Sequence, residues 1–112
     1  MSLLETLHNL LLPLLPIETG TFSQPPPARY LVLTPLMESF HLYADDRPQH
    51  EIQEVRLSLF DRGNYNTLKN QIIQTLQQAE ITITDRRYLG FEEDTGYHHF
   101  VIDVAKDYPW EV

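Results

Sequence analysis

Five histidines, 16 aspartates and glutamates and four serines are the residues of this 112-residue chain that could do chemistry, so their spacing is the first question. His98 and His99 are adjacent in a stretch that alternates as a strand, which points them to opposite faces and keeps them from chelating one ion together. His41, Asp45, Asp46 and His50 come nearer to a ligand set, but they straddle an expected turn and match no HExxH-type spacing. No bound metal is expected there. Glu92, Glu93 and Asp94 could face a hard cation, yet they lack the D-x-[DN]-x-[DN]-G frame of a calcium loop and read as a solvated tip. Ser2, Ser23, Ser39 and Ser58 sit in no nucleophile elbow, and Gly20, Gly63, Gly90 and Gly96 form no phosphate-cradling loop. The expectation is therefore no catalytic residue, no cofactor and no metal; a hydrolase using His41 or His50 with Asp45 is the distant enzymatic alternative.

Composition narrows the classes further. The formal charge of −8 argues against a module that grips nucleic acid through phosphate neutralisation, which needs a basic face. Arg86 and Arg87 form the only basic doublet, and with Arg62 they read as salt-bridge partners in an acidic protein. With no cysteine, the chain can form neither disulfides nor thiolate metal sites. At this length one domain is expected, able to bury about two-thirds of its unfolded surface. The apolar run Leu3 to Leu15 carries Glu5 and His8, has no positive flank and is too short to span a bilayer, so a soluble chain without a targeting segment is expected.

The elements that would position these residues follow from periodicity. Ser2 and Glu5 make a capping box, and Leu3, Leu4, Leu7, Leu10 and Leu11 keep helical spacing until Pro13 and Pro16. Residues 1–17 are thus a helix and its tail, and 18–27 a proline-rich connector in which Pro25, Pro26 and Pro27 favour an extended spacer. Within 28–60, Arg29–Thr34 reads as a strand ended by Pro35, Phe40–Ala44 as a second, and the alternation of Val55, Leu57 and Leu59 as a third, half-exposed one. Tyr65, Leu68, Ile72, Leu76 and Ala79 define a helix over 64–79 with Asn64 or Asn66 as its N-cap. Residues 81–105 form a closing hairpin. The order predicts an α+β domain: an antiparallel sheet of about four to five strands with the N-terminal and central helices packed on one face.

The proline-led strand PPPARYLVL, the segment SFHLYADDRPQHEIQEVRLSLFDRGNYNTLKNQIIQTL and the closing YHHFVIDVAKDYP together resemble the small tail-completion (tail-terminator, head–tail joining) proteins of long-tailed phages and prophages. Phe40, Tyr43, Ala44 and Asp45 stand at that family's aromatic-Ala-Asp stretch, and Tyr65 and Leu68 at its helix start. The likeness covers residues 25–105 and departs at Gln78, Ala79 and Glu80, where related chains tend to place glycine. It implies a non-enzymatic virion protein, present in the bacterial cytoplasm before assembly, that forms a homo-oligomeric ring, typically a hexamer. Such a ring caps the tail tube and docks it to the head–tail connector, passing DNA without specific binding and needing no membrane.

Ring contacts are expected at exposed sheet edges and at two hairpin tips, with Asp45, Asp46, Arg47, Glu92, Glu93 and Asp94 as the candidate residues. The leucine-rich first helix is the alternative contact. A small adaptor or regulatory protein-binding domain without ring assembly is the competing function.

Overall fold

Alternation along residues 47–61 builds the central strand around which the domain is organised. In the computed structural model, which describes residues 2–19, 27–44 and 47–110, the order is α1 (Leu3–Leu11), β1 (Ile17–Thr19), β2 (Arg29–Ala44), β3 (Arg47–Asp61), α2 (Tyr65–Gln78), β4 (Thr82–Phe91) and β5 (His98–Pro109). The sheet has five strands in the order β1-β2-β3-β5-β4. It is mixed rather than wholly antiparallel, because β1 runs parallel to β2. Both helices cover one face, where Leu3, Leu7 and Leu11 of α1 and Leu68, Ile72 and Leu76 of α2 meet Leu31, Leu33, Val55, Leu57, Leu59, Ile102 and Val104. The α+β class and the one-sided helix layer follow from these apolar stripes.

Several boundaries differ from the sequence reading: β3 begins at Arg47 rather than near Ile52, β5 runs to Pro109 rather than 105, and two differences go further. Ile17–Thr19 lies in a strand, where a helix tail and connector are expected; it gains backbone partners from Leu31–Leu33, and Pro16 adds a carbonyl that accepts from Leu31 N–H at 3.0 Å. The polyproline expectation for Pro25 and Pro26 falls outside the described residues. Second, Pro35 does not end a strand. The two short strands expected between 29 and 44 are one 16-residue strand, with a bulge between Pro35 and Met37. Among the described residues, β2 beyond Leu33 has a strand partner on one side only, and edge positions and bulges are where a missing N–H is tolerated. Paired with the 15-residue β3, it makes a long hairpin arm that stretches the molecule to 54 × 28 × 24 Å. The radius of gyration, 15.5 Å, exceeds the roughly 13 Å of a rounded domain of this size accordingly.

Capping fixes the helices to the sheet. The Ser2 hydroxyl accepts from Glu5 N–H, and buried Gln53 on β3 accepts the Leu3 N–H through Oε1 at 2.7 Å. The first helical turn thereby loses one of its orphan donors to the sheet itself. Asn64 caps α2 through Asn66 N–H. At the other end Ile81 N–H reaches Leu76 O and Glu80 N–H reaches Gln77 O, the paired bonds of a Schellman closure. Glu80 holds the left-handed position, φ 59°, where glycine would cost least.

Candidate functional site

Strand alternation sends His41, His50, Arg56, Phe60, His99, Val101, Asp103 and Asp107 to the sheet face opposite the helices. Among the described residues no helix covers that face. Three groups of interactions organise it.

At the distal end of the arm, the β2–β3 register places His41 opposite His50, with Asp107 of β5 beside them, opposite Ile52. His50 Nδ1 lies 3.0 Å and His41 Nε2 3.2 Å from the same Asp107 oxygen, Oδ1. The His41 and His50 rings are 5.7 Å apart. His41 Nε2 is shielded from solvent yet makes no hydrogen bond of acceptable geometry. Partial desolvation would raise the Asp107 carboxyl, but the two facing imidazoles outweigh it and hold it below its usual value. The sequence pairs His41 and His50 with Asp45 and Asp46, which lie outside the described residues. The β2–β3 pairing makes the two histidines cross-strand partners, and Asp107, more than 50 positions away, carries no local signal of joining them.

In the middle, Arg56 grips Asp103 with two bonds, Nε to Oδ1 at 2.8 Å and Nη2 to Oδ2 at 3.0 Å. The fork-to-carboxylate geometry raises the Arg56 pKa, through the hydrogen bond first and the charge of Asp103 second. Beside this pair Val101 is 1% exposed although it faces away from the main core. Ser58 and Arg87 flank it in register.

At the near end the rings of Tyr30, Phe60 and His99 stack in succession, with centroids 4.8 and 4.1 Å apart. Tyr97 meets Tyr30 edge-on, and its hydroxyl donates to Pro27 O. Burial lowers the His99 pKa, with Arg56 adding to that effect and Glu92 opposing it. Burial likewise raises Tyr30. His98 turns to the helix side, where Tyr88 Oη meets its Nδ1 at 2.9 Å, so the two adjacent histidines do occupy opposite faces.

The candidate contact residues do not gather in one place. Arg47 opens β3 at the distal tip, exposed, while Glu92, Glu93 and Asp94 are exposed in the loop between β4 and β5. Because His50 pairs with Pro109 and Phe91 with His98, these tips lie at opposite ends of β5. The acidic loop is anchored at its base: Arg62 Nε donates to Thr95 O at 2.9 Å and its guanidinium sits 4.5 Å from the Tyr97 ring centre. Arg62 is thus a loop clamp where the sequence suggests a salt-bridge partner. Arg87 does form such a bridge, to Asp85 at 2.9 Å.

Exposed apolar side chains mark both lateral margins. Leu36, Met37 and Phe40 lie on the arm, with Trp110 packed edge-on against Phe40, and Tyr88, Leu89 and Phe91 lie on the outer strand β4. The leucines expected to form a helix contact are divided: Leu3, Leu7 and Leu11 are buried, and Leu12 is exposed. Among the described residues, no helix is long and apolar enough to cross a membrane. No family model and no curated protein matches the chain.

Proposed function

We propose that this chain is a structural subunit of a phage or prophage tail, a ring-forming tail-completion protein that joins the tail tube to the head–tail connector. The observation that supports it best is the pair of strand margins at opposite sides of the sheet: β4 on one side and the arm of β2 beyond Leu33 on the other, each carrying exposed apolar side chains. Two different margins on one subunit favour head-to-tail contacts, and head-to-tail contacts close into rings when the rotation allows. The element order agrees with the resemblance. The reading requires no active site, and it places the protein in the virion, with a cytoplasmic stage before assembly.

Charge supports the same reading. An acidic lumen lets DNA pass without adhering, because like charges repel. The cost is that subunits at −8 each repel one another on association. Raising salt from about 0.15 to 1 M shortens the screening length from about 8 to about 3 Å, so assembly strengthens with salt. Size-exclusion chromatography with light scattering at both salt levels, with and without tail tubes, is the test. A shift from monomer toward a ring at high salt or on tail tubes supports the reading. A strict monomer at high concentration and high salt that ignores tail tubes overturns it and leaves the adaptor function.

A further inference from the structure

We infer that His41, His50 and Asp107 form a binding site for a divalent first-row transition ion, with zinc as the representative. The three ligand atoms lie within 4.8 Å of one another, and this is the one such group among the described residues. A tetrahedral zinc ion with nitrogen and oxygen ligands at about 2.0–2.2 Å needs those ligands about 3.3–3.5 Å apart. The two approaches to Asp107 Oδ1, 3.0 and 3.2 Å, fall a few tenths short of that while the set as a whole spans up to 4.8 Å, so side-chain rotations that draw the two imidazoles together about the carboxylate shape the cradle.

A second observation points the same way. His41 Nε2 is shielded from solvent and without a hydrogen bond, although it faces the carboxylate. A ring nitrogen in that position is an unmet polar atom, and a cation placed between the three groups would satisfy it. With an ion bound, each imidazole presents its lone pair and the carboxylate supplies charge.

The donor set selects the class. Two imidazole nitrogens and one carboxylate oxygen suit zinc, copper, nickel or iron, whereas magnesium and calcium take oxygen shells. All three side chains remain partly open to solvent, which leaves a fourth position for water. The mechanical consequence follows from where the ligands sit. His41 is on β2, His50 on β3 and Asp107 on β5, so one ion ties the far end of the hairpin arm to the C-terminal strand.

The test uses the full chain and zinc sulfate in a non-chelating buffer. Calorimetric titration is expected to find one zinc per chain, with His41→Ala, His50→Ala and Asp107→Asn each weakening it at least about tenfold, as loss of a ligand or its support does. His98→Gln, at the other end of β5, is expected to leave zinc affinity unchanged, and magnesium is not expected to compete. Should a variant unfold, ring-nitrogen NMR of the unaltered protein decides: zinc is expected to shift the His41 and His50 signals and leave those of His8 and His98 in place. Zinc binding that survives all three substitutions, or zinc that shifts the five histidines alike or none of them, overturns the assignment.

Discussion

Replacing Glu80 is expected to stabilise the protein, and the effect divides into two parts that separate variants measure. Glu80 closes α2 in the left-handed region at φ 59°, and the bonds that close the helix there, Ile81 N–H to Leu76 O and Glu80 N–H to Gln77 O, are all backbone. No substitution at 80 other than proline removes them. What the side chain contributes is strain and charge. A Cβ in the left-handed region costs about 1–2 kcal/mol. Glycine's extra freedom in the unfolded chain takes back about 0.5–1 kcal/mol, leaving a net gain near 1. The carboxylate also sits at the negative end of the helix dipole, an exposed position where removing it gains about 0.3–1 kcal/mol. Glu80→Ala therefore reports the charge alone and is expected to gain a few tenths. Glu80→Gly reports both and is expected to gain about 1–2 kcal/mol, about 4–8 °C in melting temperature for each kcal/mol. Urea melts of the three proteins, with unchanged slope, measure the difference. A glycine variant no more stable than the alanine variant would refute the left-handed closure and the argument built on it.

Three further outcomes are expected. Leu76→Ala, at a fully buried position against the sheet, should cost about 2–5 kcal/mol, while Gln77→Ala, exposed one position on, should cost well under 1 in the same urea melt. Gln53→Leu should cost about 1–3 kcal/mol and fray α1 in hydrogen exchange, because the Leu3 N–H loses its buried acceptor. Burial holds His99 below its ordinary 6.5, so the unfolded chain takes up that proton first; stability should be full above this value and fall as pH drops below it, and His99→Gln should flatten that part of the pH profile of the melting temperature.

The fold was legible wherever one face of an element is apolar and the other polar. The Leu68, Ile72, Leu76 stripe, the Val55, Leu57, Leu59 alternation and both N-caps at Ser2 and Asn64 stand where the spacing puts them. Pro35 misled, since proline's missing N–H breaks a central strand but not one with a free side, and which side is free depends on pairing partners far along the chain. β1 was hidden for a related reason: three residues carry too little pattern, and only Leu31–Leu33 make them a strand. The Arg62 clamp and the His41, His50, Asp107 cluster depend on register between strands, which one sequence does not state.

Register also explains why the open face of the sheet is organised at all. A nine-residue stretch of β3, Phe60 back to Ile52, sends alternate side chains into a face that is neither apolar enough for a core nor polar throughout. The paired charges at Arg56 and Asp103 allow Val101 to be buried beside them, because a carboxylate satisfied by two donors costs less to desolvate than a free one. The ring stack of Tyr30, Phe60 and His99 fixes one end, and the histidine pair with Asp107 holds the other. These side-chain contacts join three neighbouring strands, β2, β3 and β5, from one end of the open face to the other. Exposed Met37 and Phe40 on the arm thus lie across the sheet from the outer strand β4, two unlike margins of the kind that the proposed head-to-tail ring would bring together.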